Sequence, residues 1–309
     1  MSKISVIVPC YNEQEALGFF YNEMNRVMNL MPYAEFELLF IDDGSRDGTL
    51  SEMKRLASTD ERVKYLSFSR NFGKESAMYA GLKNATGDFV AIMDADLQDP
   101  PSLLPEMYKA VTEEGYDSVA TRRVTRKGEP PVRSFFARMF YRICNKICST
   151  DMVDGARDYR LMSRRFVNAL LELSERNRFS KGLFDWVGFK TKWLEFENVE
   201  RVAGETKWSF WKLFKYSIEG IVAFSTFPLT IAAALGFLGT AAGSVWLLVI
   251  AILAICGKAV SAVALISALL ILLVGVQLLC LGIACQYIAK TYLEIKNRPI
   301  YITGDTNIK

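Results

Sequence analysis

The sequence predicts an α/β protein: a mostly parallel, Rossmann-like sheet covered on both sides, with a two-helix transmembrane hairpin near the C-terminus. Three observations lead there. Short β-rich runs alternate with helical patterns from Ile4 to Thr121, the rhythm of βαβ units. Several of those runs end in acidic turns, and open α/β sheets present their ligand sites at the carboxyl ends of strands. Uncharged stretches run from Gly220 to Gly257 and from Ala259 to Ala289, separated only by Lys258. Each exceeds the roughly 20 apolar residues that span a bilayer.

The elements follow in order. ISVIVP reads as the first strand and residues 13–30 as the helix after it. FELLFID is a strand and 48–57 a helix; VKYLSFS is a strand and 74–85 a helix. DFVAIMD is a strand, 102–114 a helix, and YDSVAT closes the series. The informative residues follow the strands, in PCYNE, DDGSRDGT and DADLQDPP. A basic loop, TRRVTRKGEPPVR, comes next and fits a solvated linker or a phosphate-binding lid equally well. In 132–148 Val132, Phe135, Phe136, Met139, Phe140, Ile143 and Ile147 recur at helical spacing, with Arg133, Arg138, Arg142 and Lys146 elsewhere on the wheel. That is the pattern of a basic amphipathic helix lying on an anionic membrane. Residues 208–227 read as a second interfacial helix, with aromatics at headgroup depth.

The expected organisation is a catalytic domain over 1–207, the juxtamembrane helix 208–227, two transmembrane helices within 228–290 (229–255 and 263–289), and a tail over 291–309. The outer flanks of the hairpin carry Lys207, Lys212 and Lys215 on one side and Lys290, Lys296 and Arg298 on the other. The positive-inside rule therefore places the catalytic domain and both termini in the cytoplasm. MSKISVIVPC is expected to be a strand, being too short and too strand-like for a signal peptide.

The 309 residues are 51% hydrophobic with a formal net charge of +3. The six Cys show no metal or disulfide spacing and are expected to be reduced. There is no His, which excludes an imidazole base or ligand. No G-x-G-x-x-G follows the first strand and there is no Walker lysine loop, so dinucleotide oxidoreductases and P-loop NTPases lose ground.

In DADLQDPP, alternation along an extended strand lets Asp94, Asp96 and Gln98 project to one side. Converging carboxylates repel unless a cation neutralises them. Hard oxygen donors suit Mg²⁺ or Mn²⁺, and Mg²⁺ typically takes one or two carboxylates together with substrate phosphates. In IDDGSRDGT, Ser45 or Asp47 can cap the next helix. Capping does not explain the adjacent Asp42 and Asp43, one of which could bind a ribose hydroxyl or a base N–H.

PCYNE, DDGSRDGT, RNFGKESA, the Gly87–Asp88 pair and DADLQDPP together resemble the family 2 glycosyltransferases with the GT-A fold. DYRLMSR, SKGLFDWVGF and RVAGETKWSFWKLFKYSIEGIVAFSTFPL look like the polyprenyl-phosphate branch, which includes dolichol-phosphate mannose synthase. The two-helix tail is most similar to the bacterial bactoprenol glucosyltransferases. The resemblance covers nearly the whole chain. It implies that Pro9, Tyr11, Asn12, Glu13 and Asp43 hold the nucleoside, with Asp42 and Lys74 as neighbours. It implies that Asp94, Asp96 and Gln98 bind the divalent metal and, through it, the donor diphosphate. Arg122, Arg133, Arg201 and Lys207 would hold phosphate charge, a task that suits Arg. Asp158 and Arg160 would shape the acceptor side. The implied reaction is inverting transfer of a hexose, glucose from UDP-glucose, to polyprenyl (undecaprenyl) monophosphate in the bacterial plasma membrane. A homo-oligomer is compatible with the resemblance, and nucleic acid is not an expected partner.

Two other acceptors are distinguishable by sequence. A processive polysaccharide synthase usually has more spans and a Q-x-x-R-W motif, absent here. A diacylglycerol acceptor calls for a general base, for which Asp158 is the candidate. Outside catalysis, a nucleotide-sugar-binding membrane scaffold without activity is disfavoured by the intact DADLQ. A two-span channel subunit is disfavoured by spans that carry no charge.

Overall fold

In the computed structural model the described residues are 1–124, 153, 155–173, 175–176, 178–197, 218, 225, 227–256 and 262–308. Two units are distinguished: residues Met1–Gly220 with Pro299–Lys309, and residues Ile221–Arg298. The expected interfacial helices, 132–148 and 208–227, fall almost wholly outside the described residues, as do Arg133, Arg201, Lys207 and Lys258.

The first unit is built on strands β1 (Ser2–Cys10), β2 (Ala34–Asp42), β3 (Val63–Phe68), β4 (Phe89–Ile92), β5 (Ser118–Arg123), β6 (Ala156–Ser163), β7 (Thr191–Phe196) and β8 (Thr303–Thr306). They form one mixed sheet in the order β7-β5-β6-β4-β1-β2-β3-β8. Pairing is parallel among β1, β2, β3 and β4 and between β5 and β7. It is antiparallel for β3–β8, β4–β6 and β5–β6. The helices are α1 (Gln14–Asn29), α2 (Thr49–Thr59), α3 (Lys74–Asn84), α4 (Leu104–Thr112), α5 (Arg164–Glu172) and α6 (Ser180–Trp186). Each expected helix of the first half forms, displaced at most by a few residues at its ends.

The sheet is covered on both faces, which is why β1 and β2 are buried from Ile4 to Cys10 and from Phe36 to Asp42 and, apart from Ser5, Glu37 and the terminal Asp42, apolar there. On one face Leu17, Phe20, Met24 and Val27 of α1, Met53 and Leu56 of α2 and Met107 of α4 pack on Val6, Val8, Leu38, Phe40 and Leu161. On the other, α3 lies on β1 and β2 and contacts α5. A Cβ at Gly81 would meet Ile7 Cγ2 at 2.2 Å, so α3 sits as close to β1 as a glycine allows. The helix α5 is capped by the Ser163 hydroxyl, which accepts the Phe166 N–H at 3.3 Å, worth about 1 kcal/mol.

Two features were not in the sequence reading. YDSVAT does not continue the parallel series beside β4, because the antiparallel β6 lies between them. Residues 303–306, within the expected tail, return to the first unit as the edge strand β8. The Gly87–Asp88 pair lies where β4 begins, at the opposite end of the sheet from the acidic turns. There the Gly87 N–H donates to Ser5 Oγ at 2.8 Å, Ser5 donates to Glu37 at 2.9 Å, and Lys3 pairs with Glu37 at 3.1 Å. Its part is to tie strand starts together.

The second unit contains α7 (Phe227–Ile255) and α8 (Ala262–Ile295). They meet where Cys280 Sγ donates to the Ala232 carbonyl at 3.0 Å and the Tyr287 hydroxyl donates to the Ser225 carbonyl at 2.5 Å. Among the described residues, Leu273–Ile295 is long and apolar enough to cross a membrane, and none of that stretch is buried.

Candidate active site

The parallel strands β1 to β4 end on one edge, and the register aligns their ends: Cys10 lies beside Asp42, and Asp42 beside Ser67. The antiparallel β6 pairs Arg160 with Ile92, so its start, Arg157 and Asp158, reaches the same edge as Asp94. The sheet thus brings together residues more than a hundred positions apart in sequence.

The first turn, Pro9 to Glu13, is fastened to the second. Asn12 has φ of +53°, a left-handed conformation that Asn tolerates. Its N–H donates to Ser45 Oγ at 2.9 Å, and its Oδ1 accepts the Arg46 N–H at 2.9 Å. The Glu13 N–H donates to Thr49 Oγ1 at 2.9 Å. Capping by Ser45 therefore does not occur, because its hydroxyl serves Asn12. Asp47 accepts the Thr49 N–H at 3.0 Å from one residue outside the helix, whose N-cap position is Gly48. Pro9 and Tyr11 flank the same turn. Gly44, at φ +66°, is required by close approach, since a Cβ there would lie 2.4 Å from the Arg70 carbonyl carbon.

Asp42 and Asp43 part company. Asp42 closes the turn: its Oδ1 accepts the Ser45 N–H at 2.9 Å and its Oδ2 accepts the Ser67 hydroxyl at 2.6 Å. Asp43 reaches the start of α3, accepting the Phe72 N–H at 2.6 Å and the Gly73 N–H at 3.0 Å. Burial raises its carboxyl to about 6, opposed by those two N–H donors and assisted by the neighbouring Asp42.

Lys74 opens α3 and projects away from the Asp43 turn. Its Nζ lies 2.7 Å from Asp94 Oδ1 and 2.7 Å from Asp158 Oδ2, bridging β4 and β6. Burial opposes the charge on Lys74, but Asp158 and Asp94 raise the ammonium above its ordinary value. Burial works against the Asp158 carboxylate too; Lys74, Lys181 and Arg157 overcome it and hold that carboxyl well below the usual range. Arg157 donates to both oxygens of the fully buried Asp99, at 2.7 and 3.3 Å, and lies 4.0 Å from Asp94. Burial pushes the Asp99 carboxyl up, and the Arg157 guanidinium opposes that.

The turn after β4 holds Asp96, whose Oδ1 accepts the Gln98 N–H at 3.2 Å. Leu97 between them has φ of +56°, an uncommon conformation for a residue without a polar side chain. Pro101 opens a 3₁₀ turn that runs into α4. The donors here are hard oxygens from Asp94, Asp96 and the Gln98 amide. They fit a divalent cation that shares its coordination with a phosphate ligand. Among the described residues no group of three or more acidic, His or Cys side chains closes on one point, so they do not form an all-protein metal cage.

Arg160 is buried and stacked on the Phe184 ring, 3.5 Å from its centroid, and its Nε has no hydrogen-bond partner among the described residues. Burial lowers its guanidinium to about 9, against the attraction of Asp158 and Asp185. Arg122 is on the surface, paired across the sheet with Glu195. Arg157 and Asp99 were missed as partners by the sequence reading. The signal available was Arg157 immediately before Asp158, and the third acid of DADLQD.

Residues 5–171 match the family model described as Glycosyl transferase family 2. The chain is 44% identical over 306 residues to the Bacillus subtilis protein CsbB, a glycosyltransferase by name, covering 99% of this chain and 92% of that one. It is 40% identical over 303 residues to the prophage bactoprenol glucosyl transferase homolog of Escherichia coli, covering 97% and 98%. Among solved structures, glucosyl-3-phosphoglycerate synthase from Mycobacterium tuberculosis aligns with 72% of this chain and 78% of its own at 20% identity and a TM-score of 0.46.

Proposed function

The chain belongs to glycosyl transferase family 2, and on that premise we propose that it moves a hexose from a nucleotide sugar to polyprenyl monophosphate at a membrane. It is a glycosyltransferase; the donor, the acceptor and the site roles are proposed. Relatives at 40% identity over nearly the full chain are named bactoprenol glucosyl transferases, which supports a polyprenyl phosphate acceptor and glucose as the sugar; UDP-glucose is the donor of this proposal.

The observation that carries this reading is the state of Asp158. Held ionised by Lys74 at 2.7 Å, with Lys181 and Arg157 adding to the effect, it is a weak proton acceptor. A hydroxyl acceptor such as diacylglycerol needs its proton removed during attack. A phosphate monoester, with a second pKa near ~6, is largely dianionic at neutral pH and needs no base.

The reaction balances without a proton. An oxygen of the lipid phosphate attacks the anomeric carbon of glucose. The bond from that carbon to the donor diphosphate breaks, and its electron pair leaves with UDP. In-line attack inverts the centre, giving a β-linked product from an α-linked donor. Pro9, Tyr11, Asn12, Glu13 and Asp43 would hold the nucleoside, with Asp42 and Lys74 as neighbours, and Asp43 also fixes the Phe72–Gly73 amides. Asp94, Asp96 and Gln98 are the residues that would hold Mg²⁺ or Mn²⁺, which when bound neutralises charge on the departing diphosphate. Lys74 holds Asp94 and Asp158 at a set separation. Arg122, Arg133, Arg201 and Lys207 are assigned to phosphate charge, and Arg160 with Asp158 to the acceptor side.

The apolar stretch in α8 supports membrane association. We place α7 and α8 as two spans of a bacterial plasma-membrane protein, with the catalytic unit and both termini cytoplasmic, because the flanking Lys and Arg residues obey the positive-inside rule. The test of function is transfer from radiolabelled UDP-glucose to polyprenyl phosphate, free polyprenol or diacylglycerol. Label should enter only the phosphate lipid, as a mild-acid-labile monophosphodiester, with UDP released. Preferential labelling of diacylglycerol, or a product that keeps a pyrophosphate, would refute the assignment.

A further inference from the structure

The strand β8 follows the long apolar helices in sequence, yet it pairs with β3 at the edge of the catalytic sheet. Leu66 lies opposite Thr306 and Ser67 opposite Asp305, and a bulge then brings Phe68 opposite Thr303. The pairing is reinforced along its length. The Tyr65 N–H donates to Asn307 Oδ1 at 2.7 Å, Thr306 Oγ1 donates to the Tyr65 carbonyl at 2.8 Å, and Lys54 pairs with Asp305 at 2.5 Å. This is more fastening than covering a sheet edge requires.

The fastening extends past the strand into the site. The Ser69 N–H donates to the Ile302 carbonyl at 3.0 Å, so the tail holds the first residue of the loop that leads to α3. The Tyr301 ring stacks on Phe68 at a centroid distance of 4.9 Å and an angle of 21°. Phe68 in turn meets the edge of Phe72 at 5.7 Å. The Phe72 and Gly73 amides are those that Asp43 holds, and the next residue is Lys74, which bridges Asp94 and Asp158. From Tyr301 the ring contacts reach Phe72, and the backbone from Phe72 carries Lys74 to its ion pairs with Asp94 and Asp158.

We propose that the C-terminal strand is a positioning element of the active site, with Tyr301, through Phe68 and Phe72, setting the loop that aims Lys74 at Asp94 and Asp158. Without the Tyr301 ring, Phe68 loses its stacked aromatic partner, and the loop from Ser69 to Gly73 gains freedom that Asp43 and the remaining backbone bonds restrain less fully. Misplacement of about 1 Å at a reacting centre can cost on the order of a hundredfold in rate. Only the activity arm of the test rests on the glycosyl-transfer reading; the amide-exchange arm does not.

The test compares full-length Tyr301→Ala and Tyr301→Phe with the wild type by hydrogen–deuterium exchange and by steady-state transfer. In Tyr301→Ala the Phe72 and Gly73 amides should exchange at least about tenfold faster, while β1 and β4 keep their protection. The kcat should fall about tenfold or more, with KM for the donor changing less. Tyr301→Phe keeps the stacked ring and should restore both. If Tyr301→Ala does not fold, Asp305→Ala, which loosens the same strand from its Lys54 contact, should show the same local exchange in weaker form. Unchanged exchange at Phe72 and Gly73, or an increase spread evenly through β1 and β4, overturns the proposal. Local loosening in a protein whose wild type transfers no sugar would sustain the positioning role and overturn the transfer reading alone.

Discussion

Lys74 Nζ stands 2.7 Å from Asp94 and 2.7 Å from Asp158, so one ammonium joins the strand end that would meet the donor to the one that would meet the acceptor. Groups that act as one unit give non-additive losses. Lys74→Met and Asp158→Asn should each lower kcat/KM by about a hundredfold, the scale of losing one preorganised charge contact. The double variant should be little worse than either single one. Fully multiplicative losses in the double-mutant cycle would show that the two residues act separately.

The donor set at the β4 turn leads to a second expectation. Asp96→Asn replaces an anionic oxygen donor by a neutral amide without changing size. Transfer should fall below detection in this variant at any Mg²⁺ or Mn²⁺ concentration. The wild type should lose activity in excess EDTA and recover it when either ion is restored. Full activity in the presence of the chelator would remove the metal from the reading.

Much of this edge was legible in the sequence because its residues sit in local motifs. Asp42 ends β2 with Asp43 just after it, and the parallel order of the evident apolar runs puts that end beside the turn after β4, where Asp94, Asp96 and Gln98 lie in a turn rather than alternating along an extended strand. Their separate tasks were not legible. Asp42 and Asp43 are adjacent and chemically identical, and only the fold shows that one closes its own turn while the other reaches α3. The family resemblance implies Lys74 as a neighbour of the nucleoside; its reach to Asp158 depends on the antiparallel insertion of β6, a long-range pairing with no local signature. β8 was missed for a similar reason. TGDT has little β propensity of its own, and it becomes a strand by pairing with an edge that its sequence neighbours do not reveal.

Orientation in the membrane makes a third expectation. With the catalytic unit cytoplasmic, Lys258 is the charge placed on the outer face. In a background without the native Cys, Lys258→Cys should react with an impermeant thiol reagent added to intact cells. Thr306→Cys, on β8, should react only after the cells are permeabilised. The opposite labelling pattern would reverse the topology.

Asp43 supplies a pH signature whose sign can be worked out. Its carboxyl is raised by burial to about 6, whereas in the unfolded chain it titrates near the ordinary 3.8. Between those values the folded state binds more protons at this site than the unfolded state does, so its contribution to stability falls as pH rises through that window. The contribution is fully present below the unfolded pKa and is lost by the time pH exceeds about 6. At about 1.4 kcal/mol for each pH unit, the swing is on the order of 2–3 kcal/mol. Glu37 works in the opposite direction at lower pH. Burial would raise its carboxyl, but Thr86, Ser5 and Lys3 together lower it, so its stabilisation is lost as the solution is acidified through and below its ordinary value of 4.5. The two windows meet only at their edges, and a single substitution separates them. Asp43→Asn removes the titrating group and keeps a carbonyl oxygen that can accept the Phe72 and Gly73 N–H bonds. Thermal unfolding of the wild type followed from pH 4.5 to 6.5 should show a declining contribution that is absent from Asp43→Asn. If the difference between the two proteins stayed constant across that range, Asp43 would not be the buried, raised carboxyl that holds the start of α3.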